Sequence, residues 1–145
     1  MFKHILLPTD CTPLSLRAAR VAVELARRCG ATLSVLHVTR SAPSHAHRGG
    51  EAAVAEIDRA VEAQRIHATH LGEVEALAIG MGVRCSAAET EHTSPSRAIV
   101  EFADRHGCDL IVMATHGKHG LKRLVLGSQT EQVLLASDVP VLVCP

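Results

Sequence analysis

The sequence predicts an α/β fold: an open five-stranded parallel sheet, Rossmann-like, in strand order 3-2-1-4-5 with helices on both faces. Two observations predict it. Short apolar runs rich in branched residues, HILLP (4–8), TLSVLHV (32–38) and DLIVMA (109–114), read as strands buried on both faces. Capped amphipathic stretches separate them, and strict alternation of strand and helix implies a parallel sheet with right-handed crossovers. At 145 residues and 47% apolar content, the chain suits one domain over 1–145 with one continuous core.

Each element has its own signals. After the first strand, Thr12 as N-cap and Pro13 at the first helical position open a helix with Ala18, Val21, Ala22 and Leu25 on one face and Gly30 as its stop. The second strand leads into a loop, TRSAPSHAHRGG (39–50). Residues 51–80 are helix-biased through Val54, Ile57, Val61, Ala68 and Leu71, with Gly72 weakening the middle by ~1 kcal/mol relative to alanine. VRCSA (83–87) alternates apolar and polar, as a strand near a sheet edge does. Over 94–107, Ser94 caps, Pro95 opens, Ile99, Phe102 and Ala103 face inward and Gly107 closes. After the fourth strand, SQTE (128–131) reads as a capping box between Ser128 and Glu131, and VPVLVCP (139–145) as a last strand.

Composition removes several classes of function. With no Trp or Tyr and only Phe2 and Phe102 as aromatics, base-stacking platforms are excluded. Fifteen basic and fifteen acidic side chains cancel, so no overall field favours nucleic acid or a membrane as partner. The five cysteines, odd in number and without a CxxC, are expected to be buried, reduced small hydrophobes. The apolar start is too short for a signal peptide, and no stretch reaches the ~18 apolar residues of a membrane span, so a cytoplasmic protein is expected.

In such a sheet, ligands bind beyond the carboxyl ends of the strands where strand order reverses. That crevice lies between strands 1 and 4, which end at PTD (8–10) and ATHG (114–117). The stretch after strand 4 is no GxxxxGK[ST] loop, since His119 follows Lys118, and no GxGxxG follows strand 1. What remains is Gly117, nine residues, then Gly127-Ser128 at a helix start. Free amides and the positive end of a helix dipole there favour an oligophosphate, whereas the same glycine and serine also make an ordinary turn without a ligand. Asp10 suits ribose hydroxyls or Mg2+, or simply the turn before Thr12. Lys118, Lys122 and Arg123, with His116 and His119, are within reach of phosphate or are solvated. His45/His47 and His67/His70 are spaced to approach a metal, but no acidic or cysteine ligand completes a set, and no metal site is predicted. His37 reads as a hydrogen-bonded core histidine. No GxSxG or HExxH is present and no catalytic residue is assigned.

ILLPTD near the start, LSVLHV at strand 2 and SPSRAIVEFADRHGCDLIVMATHGKHGLKRLVLGSQTEQVLLASDVPVLVCP to the end resemble the universal stress protein family over essentially the whole chain. The family's nucleotide-binding branch carries glycine, two residues, glycine, nine residues, glycine and serine or threonine. Here Ala114 replaces the first glycine, followed by Gly117, nine residues and Gly127-Ser128. The resemblance implies binding of ATP, with Mg2+, rather than its hydrolysis. It places phosphates at Gly117, Gly127, Ser128 and the Gln129 backbone, with Ala114, His116 and Lys118 beside them. Pro8, Thr9 and Asp10 would line the ribose and phosphate side and Val38 would meet adenine. It also implies a homodimer through the last strand, whose VPVLVC edge is apolar on both faces, and a protein partner that reads occupancy. A nucleotide-free dimeric scaffold and a slow ATP-hydrolysing enzyme are the alternatives. Ala114 is tolerated if it merely ends strand 4 and strained by on the order of 1 kcal/mol if the position needs a positive φ.

Overall fold

Five strands, β1 (His4–Thr9), β2 (Thr32–Arg40), β3 (Cys85–His92), β4 (Leu110–Ala114) and β5 (Val141–Cys144), form one sheet in the order β3-β2-β1-β4-β5. All four pairings are parallel, as expected. This is a computed structural model, and it describes residues 1–41, 50–115 and 126–145. Helices α1 (Ser15–Cys29), α2 (Glu51–Gly80), α3 (Pro95–His106) and α4 (Ser128–Ala136) fill the connections.

The two-residue period of the strands sorts the core into two layers. Ile5, Leu7, Leu33 and Val35 pack with Ala22, Val23 and Val74 of α1 and α2. Leu6, Leu36, Ile111 and Met113 pack with Ile99, Ala103 and Val133 of α3 and α4. β1, at the centre, is buried from Ile5 to Thr9.

Several helix ends differ from expectation for identifiable reasons. α1 begins at Ser15 rather than after Thr12, with Leu14 at the cap position; the Thr12 hydroxyl donates to Asp10 Oδ1 at 2.6 Å and caps no amide of the helix. Its buried stripe runs through Ala18, Ala19, Ala22, Val23 and Ala26, which turns Val21 outward to 42% exposure. Gly30 closes it in the left-handed region at φ 66°, and Gly107 closes α3 at φ 62°. Ser94 makes no capping bond; the Ser96 amide of α3 donates instead to Gln129 Oε1 at 2.9 Å. The Ser128–Glu131 capping box does not form either. Gly127 occupies the cap position of α4, and the Glu131 amide donates to the Gly127 carbonyl.

α2 spans the predicted 51–80, but only its second half is buried, at His70, Leu71, Val74 and Ala78. Val54, Ile57 and Val61 are 59–63% exposed. A helix of 30 residues is ~45 Å long, while the eight residues of β3 span only ~26 Å, so the first half of α2 overhangs the sheet. β3 begins and ends later than the predicted 83–87 because its polar second half pairs residue for residue with β2 out to Arg40 and His92.

All five cysteines are free. Cys108 and Cys144 are buried, whereas Cys11, Cys29 and Cys85 are half-buried rather than core residues. Burial pushes the Cys85 and Cys108 thiols up to about 11, so neither supplies a thiolate near neutrality. No described helix is long and apolar enough to cross a membrane.

Candidate functional site

Beyond the carboxyl ends of β1, β2 and β4 lies a cleft of about 720 Å³. That volume is in the range of small-molecule sites, roughly 300–1,000 Å³. Pro8, Thr9 and Asp10 line one side, Val38 the floor at β2, and Ala114, Gly127, Ser128 and Gln129 the other side. Eight of the eleven residues assigned to a ligand from sequence therefore meet in one place. His116, Gly117 and Lys118 lie outside the described residues, as do His45, His47, His119, Lys122 and Arg123.

The β1 side is built from side chains. Cys11, at φ 59°, is the one described non-glycine residue in the left-handed region, and this turn carries the chain from β1 toward α1. Asp10 Oδ1 accepts the Thr12 amide at 3.1 Å and the Thr12 hydroxyl at 2.6 Å, which fixes the carboxylate. Its Oδ2 is buried and has no hydrogen-bond partner among the described residues. The Thr9 hydroxyl is turned away into a closed network. It donates to Ser15 Oγ at 2.9 Å, while Ser15 Oγ donates to the Thr12 carbonyl at 2.6 Å. The Cys11 amide donates to Thr9 Oγ1 at 3.1 Å. His70 Nε2 lies 2.8 Å from the same oxygen, and counting protons assigns the N–H to that nitrogen. Burial holds the His70 pKa below its usual value, opposed by the charges of Glu73 and Asp10 and reinforced by His37.

The β4 side is built from backbone. Ala114 ends β4 opposite Cys144, in extended conformation with no positive φ, and its methyl packs toward the layer of α1 and α2. Alanine is unstrained there. The Gly127 amide donates to the Thr115 carbonyl at 2.8 Å, and the Thr130 hydroxyl to the Ala114 carbonyl at 3.1 Å. These bonds dock the start of α4 against the end of β4. The amides of Ser128, Gln129 and Thr130 precede the first intrahelical bond of α4, so the helix has no internal acceptor for them. Gln129 also serves α3, since its side chain accepts the Ser96 amide.

Sequence reasoning missed His37 and His67 as cleft residues. His70 turns into the Thr9 network, whereas His67 lies against the His37 ring, with centroids 4.0 Å apart, so the His67/His70 pair is not a unit. The signal for His37 was weak because its immediate neighbours in the strand, Leu36 and Val38, are apolar and its register partner, Glu89, is 52 residues away.

The whole chain, residues 1–145, matches the model of the universal stress protein family. A universal stress protein of Methanocaldococcus jannaschii is 34% identical over 145 residues, which is 99% of this chain and 82% of that protein. Among solved structures, the universal stress protein UspA from Lactobacillus plantarum aligns with a TM-score of 0.77 at 23% identity, over 99% of this chain and 97% of that one. A universal stress protein solved in complex with cAMP aligns with a TM-score of 0.73 at 23% identity, over 99% and 97% of the two chains. Its fold is shared from end to end. On the family match and the relatives together, this chain belongs to the universal stress protein family.

Proposed function

We propose that the cleft binds an adenine nucleotide, ATP with Mg2+, and that occupancy is read out through a homodimer or a protein partner. One observation carries the reading: the two sides of the cleft have opposite hydrogen-bond polarity. Among the described residues, Asp10 Oδ2 is a buried acceptor without a donor, and the α4 start presents amide donors without acceptors inside the helix. A nucleotide has hydroxyl donors on its ribose and acceptors on its phosphates, so it satisfies both at once. The apolar Val38, Leu36 and Ile99 between them suit a base. The relative solved with cAMP is consistent with this use of the fold. Asp10 is the acceptor for ribose hydroxyls or for the water shell of Mg2+, which usually keeps several waters. The dimer is assigned to β5, a four-residue edge strand with Leu142 39% exposed and Val141 and Val143 half-buried.

Co-purified nucleotide sought by mass spectrometry, followed by calorimetric titration of ATP with and without Mg2+, tests the reading. Saturable binding, weakened about tenfold or more in Asp10→Ala, is expected from loss of a hydrogen bond to a charged group. No bound nucleotide and no heat at millimolar ATP would replace it with the scaffold alternative. Leu142→Asp is expected to yield monomers by light scattering, and an unchanged dimer would move the interface elsewhere.

A further inference from the structure

We propose that His37, His67 and Glu89 form a binding site for a divalent transition metal of the zinc class at the rim of the cleft. Their ligating atoms, one from each side chain, lie within 4.8 Å of one another. They come from three elements: His37 and Glu89 face each other in the β2–β3 register, and His67 reaches them from α2.

The decisive feature is His37. Its residue is 4% exposed, and its Nδ1–H donates to the Thr9 carbonyl at 3.0 Å, which leaves the lone pair on Nε2. That Nε2 is buried and has no hydrogen-bond partner among the described residues. A backbone carbonyl on one ring nitrogen and a bare second nitrogen is the arrangement by which proteins orient a ligating imidazole. Two imidazoles and one carboxylate favour zinc over Mg2+ or Ca2+, which take oxygen donors. Tetrahedral zinc at ~2.0 Å from each donor sets them ~3.3 Å apart, so closure brings any two donors together by at most about 1.5 Å. Glu89 is exposed and His67 half-buried, so the movement falls on side chains at the surface end of the site rather than on buried His37. Three protein donors leave a fourth position for water or another ligand.

The site shares the cleft with the proposed nucleotide but uses other side chains. His37 continues the side of β2 that carries Leu33 and Val35 toward α1 and α2, whereas Val38 packs toward α3 and α4. Neither proposal depends on the other.

The full chain, stripped with a chelator, is titrated with Zn2+ by calorimetry and with Co2+ by visible absorption. One tight Zn2+ per chain and the intense d–d bands of four-coordinate Co2+ are expected. His67→Ala and Glu89→Gln each weaken Zn2+ binding by at least about tenfold. Thermal unfolding of each variant without metal shows that it still folds, so that weaker Zn2+ binding is read on a folded chain. Because the chain holds ten histidines, His45→Ala/His47→Ala serves as the control and retains the tight site. Absence of Zn2+ binding at high micromolar metal overturns the proposal, as does wild-type affinity in both His67→Ala and Glu89→Gln.

Discussion

The two sides of the cleft are made of different material. On the β1 side, polarity comes from side chains locked by other side chains: Thr12 fixes Asp10, while Ser15 and His70 fix Thr9. On the β4 side it comes from main chain, with Gly127 and Thr130 tying the first turn of α4 to the end of β4. A side-chain wall presents one directed charge, and a single substitution can invert it. A main-chain wall presents several donors that no substitution short of proline removes, and it is otherwise altered only by moving the helix. The two walls therefore differ in how they can be broken.

The largest effect is expected at the side-chain wall. Asp10→Asn keeps the size, removes the charge and risks pointing an amide donor at the ligand. Nucleotide affinity should fall by about 2 kcal/mol, near thirtyfold, as for a lost hydrogen bond to a charged group. Calorimetry with ATP and Mg2+ reads it, and an affinity within twofold of wild type would show that the carboxylate faces no ligand. On the main-chain wall, Gln129→Leu strips the acceptor from the buried Ser96 amide without touching the α4 amides. A loss of about 1–2 kcal/mol in stability is expected by denaturant unfolding, with a smaller change in nucleotide affinity than Asp10→Asn gives. The reverse order would mean that the Gln129 side chain, not its backbone, serves the ligand.

A third effect separates the walls by pH. His70 supports the side-chain wall as a neutral, buried imidazole whose folded pKa lies below its usual 6.5. Above 6.5 both folded and unfolded chains hold it neutral, so it contributes no pH dependence there. As pH falls through 6.5 the unfolded chain takes the proton first and stability declines, by no more than about 1.4 kcal/mol per pH unit for one proton. Glu73 and Asp10 oppose the shift and His37 adds to it. Thermal unfolding of wild type and His70→Gln between pH 7.5 and 5, as approximate limits set around the histidine range, should converge toward the acid end. Parallel curves would remove His70 from the account.

The same contrast explains what the sequence disclosed. Gly127-Ser128 before a helical run is a local signal, and the order of strands and helices followed from period and capping alone. Pro8, Thr9 and Asp10 were reachable because they end a strand whose place in the order was predicted, whereas Val38 came from the family resemblance. The supports of the side-chain wall were not legible. Thr9 meets His70 across 61 residues, and His37 meets Glu89 only through the β2–β3 register. Ser94 and Ser128 look like caps locally, yet Gln129 bonds Ser96 across 33 residues and Gly127 takes the cap position of α4. Likewise Val54, Ile57 and Val61 carry a helical period, but the period cannot tell that the sheet ends beneath them.

The smallest effect is expected at Ala114, the residue that departs from the family's glycine pattern. A glycine at this position could serve a left-handed turn or a close approach of the ligand. The first is ruled out by the backbone, which is extended and paired with Cys144, so Ala114→Gly relieves no strain. It does remove a methyl packed toward α1 and α2 and loosens a strand end, a change of roughly 0.5–1 kcal/mol against stability. Only crowding of the ligand is left to distinguish the two residues. Because the methyl points toward the core layer, ATP affinity in Ala114→Gly should stay within about threefold of wild type, less than 1 kcal/mol. A gain of tenfold or more on calorimetry would mean that the methyl does reach the ligand, and that the main-chain wall can be tuned by a side chain after all.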